Sequence, residues 1–107
     1  MNDAVTKELN NIVNTLVGTG IVSQIFLFGS YARGEETPDS DLDLCVLTTE
    51  KDKHPIDVAA DLNYKVLNIQ TMPLDLLAYE KDYFYFHAKR PTSFEHEIAK
   101  NGVMVYG

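Results

Sequence analysis

An apolar run, Ile25-Phe26-Leu27-Phe28, stops at Gly29-Ser30. After a polar loop, Asp41 and Asp43 lead into a second apolar run, Leu44-Cys45-Val46-Leu47. Short apolar runs bounded by turn residues read as buried strands. The carboxylates therefore head one strand, and the glycine turn ends the other. In a strand, residues i and i+2 point to the same face. Borne on a strand, Asp41 and Asp43 aim two carboxylates at one point. Gly29 lets a phosphate approach the backbone, and its free φ suits the turn. Ser30 adds a hydroxyl. Tyr31-Ala32-Arg33 can form the first turn of a short helix, whose free N–H groups attract an anion. Two carboxylates beside such a cradle can hold Mg²⁺ against phosphates. Arg33 reads equally well as a charged phosphate donor and as a surface arginine paired with Glu35 or Glu36.

Asp39, Asp41, Asp43 and Glu50 also echo the spacing of an EF-hand calcium loop. That reading fails on Leu44, which stands where the loop needs glycine, and on Cys45-Val46-Leu47, which suit a buried strand. A merely decorative aspartate pair is disfavoured, because adjacent like charges on one face repel.

The rest of the chain supplies a frame. Val5, Leu9, Ile12, Val13, Leu16 and Val17 fall at helical spacing and predict a helix over Asn2 to Val17. Asn2 or Asp3 can cap it, and Gly18 or Gly20 can end it. Ser23 to Phe28 is the first strand. Glu35 to Pro38 is an exposed loop. Pro55 opens a second long helix carrying Ile56, Ala59, Ala60, Asn63, Val66 and Leu67. Asp57 and Asp61 face solvent on it, and His54 is an exposed loop residue. Met72 to Ala78 is a third strand with Pro73 at its start or edge. Asp75 stands among its apolar residues, costly to bury without a partner; an edge-strand aspartate facing water is the other reading. Lys81 to Ala88 is rich in aromatics: Tyr83, Phe84, Tyr85 and Phe86. It reads as packing or as a partner surface. Thr92 and Glu95 form a capping box for a last helix ending at Gly102, followed by a strand over Val103 to Tyr106. Helices on one mixed sheet, in a single pair of layers, is the expected α/β (α+β) architecture.

A chain of 107 residues is expected to form one domain, residues 1–107. Its net charge of −7 opposes broad binding to nucleic-acid backbones. Mg²⁺ restores attraction for a triphosphate. Cys45 has no partner for an internal disulfide and packs in a strand. The absence of a long apolar run or leader predicts no membrane contact and a cytoplasmic location.

Gly29-Ser30, a gap of this length and Asp41-x-Asp43 resemble the nucleotidyltransferase superfamily that includes DNA polymerase β. The short chain looks most like the minimal nucleotidyltransferases, small subunits often partnered with HEPN-domain proteins. The resemblance implies transfer of a nucleoside monophosphate to a hydroxyl, with loss of pyrophosphate. It makes Asp41, Asp43 and Asp75 the catalytic and metal-binding residues, holding two Mg²⁺ ions; Asp75 is the one residue fitting the third-carboxylate context. Gly29, Ser30 and Arg33 become the triphosphate cradle, with Arg33 tipped towards phosphate. ATP or another nucleoside triphosphate is the implied substrate. The implied acceptor is a hydroxyl of a HEPN-type toxin, with this chain as antitoxin; self-association is the other way to complete the acceptor surface. A weakly catalytic antitoxin acting by complex formation, a metal or nucleotide sensor, and a small-molecule transferase are the alternatives.

Overall fold

Asn2 starts the first helix by accepting a hydrogen bond from the Val5 amide at 2.8 Å, which satisfies one of the helix's free donors. The computed structural model describes all residues, Met1–Gly107. Helix α1 (Asp3–Val17) leads through a turn at Gly18 and Gly20 into β1 (Val22–Phe28). Helix α2 (Gly29–Arg33), β2 (Leu42–Thr48), α3 (Pro55–Val66) and β3 (Leu74–Glu80) follow. Then come α4 (Lys81–Ala88), α5 (Phe94–Asn101) and β4 (Val103–Tyr106). The sheet is mixed, in the order β3-β2-β1-β4. β1 pairs antiparallel with β2 and β4, whereas β2 and β3 run parallel. The parallel pair needs a crossover, and α3 supplies it.

Strand alternation sorts the core into two halves. Ile25, Leu27, Leu42, Leu44, Val46, Leu76 and Ala78 face α1 and α3, meeting Leu9, Ile12, Leu16, Val58, Leu62 and Val66. Phe26, Cys45 and Leu47 point the other way, towards Phe84 of α4 and Ile98 of α5. Helices thus cover both faces of the sheet, giving three layers where the sequence predicted two. The aromatic segment makes the difference. Phe84 is fully buried and stacks on Phe26 at 5.8 Å between ring centroids. Tyr83 and Phe86 of the same helix stay exposed. Packing and surface are therefore both present in one segment.

Two helix starts and one helix end show how local chemistry is assigned. His54 caps α3, its Nδ1 accepting from the Ile56 amide at 3.1 Å. The last helix is capped by Ser93, accepting from the His96 amide at 3.0 Å, and not by Thr92. Ser93 wins because its hydroxyl also donates to the His87 or Arg90 carbonyl in the preceding turn. Gly102 ends α5 as expected, but in extended geometry. A side chain there would collide with the Ile98 carbonyl, so the need is for space and not for a left-handed φ. No helix is long and apolar enough to cross a membrane.

Candidate active site

The parallel register sets Asp43 of β2 directly beside Asp75 of β3. The antiparallel register sets Phe28, the last residue of β1, opposite Asp43 on its other side. Gly29 follows at once with φ +75°, a region that residues with a Cβ rarely adopt. Its missing side chain matters: a Cβ there would overlap Oδ2 of Asp43 and lie 2.9 Å from its Cγ. The glycine turn and the second aspartate are therefore one structural unit, packed backbone against carboxylate.

Asp41 departs from the strand-borne geometry. β2 begins at Leu42, so Asp41 stands one residue ahead of it. The backbone there is held by the loop before β3, since the Leu42 amide donates to the Pro73 carbonyl at 3.0 Å. Asp41 still acts on Asp43. The Asp43 carboxyl is pushed above the ordinary aspartate range, first by burial, then by the charges of Asp75 and Asp41, with Arg33 pulling it back. Asp41, Asp43 and Asp75 do not close into a ready-made metal cage. Like charges with no cation between them have no reason to converge.

The cradle residues flank this group. Ser30 and Arg33 belong to α2, which Gly34 ends in the left-handed conformation at φ +70°. Arg33 is exposed, and its Nε lies 3.4 Å from Oε2 of Glu35. The ion-pair reading of Arg33 is thus realised in this state. A surface pair of this kind is worth about 0–1 kcal/mol, which a phosphate can outbid. A cleft of about 210 Å³ opens between α2 and α5, lined by Phe28, Gly29, Arg33, Phe94, Glu97 and Asn101 among others. Gly29 and Arg33 of the cradle line it; Ser30 and the aspartates do not. The rejected calcium loop is absent, because its central residues Leu44 to Val46 form buried strand.

Glu8 was not legible as a site-associated residue. It is 7% exposed on α1 and accepts from the Thr71 amide at 2.7 Å, the Thr71 hydroxyl at 2.8 Å and the Met72 amide at 3.2 Å. Burial alone would raise its pKa; these hydrogen bonds overcome that and hold it below the ordinary glutamate range. The signal in the sequence was a glutamate at the spacing of Val5, Leu9 and Ile12, the apolar face of the helix. Cys45 is buried and its thiol is pushed up to about 12, chiefly by burial, so it offers no nucleophile.

A glycine turn locked against a carboxylate pair, on a small mixed sheet, defines the nucleotidyltransferase class. The chain belongs to the family described as Polymerase beta, Nucleotidyltransferase, which it matches over residues 10–107. Among relatives, it is 30% identical over 105 residues to a protein of Methanocaldococcus jannaschii named as a putative protein adenylyltransferase, covering 94% of this chain and 96% of the relative. A crystal structure of a putative nucleotidyltransferase from Sulfolobus solfataricus superposes with a TM-score of 0.62 at 19% identity, covering 92% of this chain and 76% of the other. A toxin–antitoxin structure, MntA–HpeT, matches with a TM-score of 0.50 at 18% identity, over 100% of this chain and 74% of that one.

Proposed function

We propose that this protein is a metal-dependent adenylyltransferase that moves AMP from ATP to a hydroxyl of a partner protein in the cytoplasm. The observation that carries the reading is the Asp43–Asp75 register pair, packed against the Gly29 turn. The site fits Mg²⁺ on the charge of its donors: Asp43 is disfavoured as an anion first by burial and then by Asp75 and Asp41, and a divalent cation relieves both. Asp41, Asp43 and Asp75 would hold two ions. Bound there, the metal would offset the triphosphate's charge and stabilise both the attacking and the leaving oxygens.

The chain's own groups do the rest. The Gly29 and Ser30 amides at the start of α2, with the Ser30 hydroxyl, orient the β- and γ-phosphates. Arg33 exchanges Glu35 for phosphate. Asp75, exposed at the open edge of the sheet, faces the acceptor and takes its proton. The acceptor oxygen bonds to the α-phosphorus, the bond to the β-phosphate oxygen breaks, and pyrophosphate departs. Positioning and charge account for most of the acceleration in such chemistry.

Three facts favour a protein as acceptor. The M. jannaschii relative is named for protein adenylylation. A neighbour in fold was solved as a toxin–antitoxin structure. Tyr83 and Phe86 remain exposed on α4, where aromatic residues suit an interface core. The partner we propose is a HEPN-type toxin, silenced by AMP on a side-chain hydroxyl. Co-expression with the neighbouring gene product, followed by mass spectrometry, tests this; the expected gain is one AMP on the partner. An unmodified partner alongside robust transfer to a small molecule would sink it.

Ser30 gives a graded check on the cradle. Ser30→Ala removes one hydroxyl donor and leaves the backbone turn. ATP affinity measured by calorimetry is expected to fall by about 0.5–1.5 kcal/mol, or somewhat more because phosphate is charged. Unchanged affinity would move the triphosphate away from α2.

A further inference from the structure

Glu8 lies on the α1 side of the sheet, away from the chemistry, yet it is bonded to the segment that joins the two carboxylate strands. Its Oε2 receives the Thr71 and Met72 amides, and its Oε1 receives the Thr71 hydroxyl. The next residue, Pro73, offers its carbonyl to the Leu42 amide at 3.0 Å. Leu42 is flanked by Asp41 and Asp43. Leu42 pairs in register with Leu74, and Asp43 with Asp75. Glu8 and the start of β2 thus hold the same three-residue segment, Glu8 by the Thr71 and Met72 amides and Leu42 by the Pro73 carbonyl. Pro73 itself has no N–H, so the loop cannot be fixed at that residue by donating to β2. The carboxylate on α1 fixes it instead.

We infer that Glu8 is a positioning residue, setting the height at which Asp75 meets Asp41 and Asp43. The inference rests on the metal-site reading above. The start of β3 lies at the edge of the sheet, with a neighbour on one side only. Without Glu8, the part-buried Thr71 and Met72 amides would lose the acceptor oxygen they share, and the loop would shift to hydrate them. Asp75 follows two residues beyond Pro73 and would move with it. Groups that orient metal ligands from behind typically change metal affinity by about 10–100-fold.

Calorimetric titration with Mn²⁺ alone, without nucleotide or partner, reads this directly. Glu8→Ala is expected to weaken Mn²⁺ binding at least about tenfold. Glu8→Gln is expected to stay within about threefold of wild type, because its amide oxygen accepts from both backbone N–H groups and its NH₂ donates to a reoriented Thr71 hydroxyl. Val13→Ala, a core truncation on the same helix, is expected to bind Mn²⁺ like wild type. A folded Glu8→Ala protein with the wild-type constant overturns the inference, as does an equal loss in Val13→Ala. Should Glu8→Ala fail to fold, Glu8→Asp keeps the charge but shortens the reach to both amides by one methylene; a folded Glu8→Asp protein with the wild-type Mn²⁺ constant then overturns it. Wild-type protein that binds no Mn²⁺ overturns the metal-site reading itself, which separates the two failures.

Discussion

Asp43→Asn is expected to abolish nucleotidyl transfer while making the metal-free protein more stable. Both effects come from one charge. In the folded state the Asp43 carboxyl titrates above its ordinary range because of burial and of Asp75 and Asp41 beside it. A raised acid pKa means that folding opposes ionisation. At pH below about 4, the ordinary aspartate range, both folded and unfolded Asp43 are protonated and nothing is lost. As pH rises through that range the unfolded chain ionises first, and stability falls. Above the raised folded value the loss is complete. The stabilisation gained by Asp43→Asn is therefore full at neutral pH and vanishes in acid.

Added Mg²⁺ reverses the order. A ligand that binds only the folded state raises its stability by RT ln(1 + [L]/Kd), and wild type gains this while the Asn variant does not. Thermal melts at about pH 3, below the ordinary aspartate range, and at about pH 7.5, with and without Mg²⁺, separate the two contributions. Turnover should drop at least about 10²–10³-fold, the scale of losing one preorganised electrostatic contact. Near-normal turnover in Asp43→Asn at saturating Mg²⁺ would falsify the two-metal proposal.

How much of this was readable follows from the range of the forces involved. Helices α1 and α3 and the strands were legible because apolar spacing reports burial directly, residue by residue. Asp75 lies beside Asp43 in register, but not for the reason its apolar neighbours suggested: it is exposed on the edge strand, so burial does not demand a partner for it. Its partner could be named only by resemblance, because strand order is a long-range property. The third layer was missed because aromatics at Tyr83 to Phe86 obey no single period. Only Phe84 of these four is fully buried. Ser93 displaced Thr92 as a cap because of its contact with the preceding turn, which spacing does not encode. Glu8 escaped for the strongest reason: its acceptors' partners, Thr71 and Met72, lie more than sixty residues along the chain.

Gly29→Val is expected to remove both nucleotide binding and metal binding, and Gly29→Ala already most of each. Two costs add. A residue with a Cβ at φ +75° is strained by about 1–2 kcal/mol. The added atom would also overlap Oδ2 of Asp43 and crowd its Cγ at 2.9 Å, so the carboxylate must leave its present position. The molecule carries its own control for the first cost. Gly34 ends the same helix at φ +70°, with nothing within 4 Å of where a Cβ would stand. Gly34→Ala pays the strain without the collision. Calorimetry of ATP and of Mn²⁺ should therefore show near-normal binding for Gly34→Ala and none measurable for Gly29→Val. A double-mutant cycle isolates the collision further. In an Asp43→Ala background the colliding Oδ2 and Cγ are gone and only the Cβ contact at 3.2 Å remains, so Gly29→Ala should cost far less than in wild type and little more than Gly34→Ala costs in unfolding free energy. Equal costs for Gly29→Ala in both backgrounds would mean that the turn and the carboxylate are independent. The phosphate cradle and the metal site would then not be the single unit that the Gly29–Asp43 contact makes them.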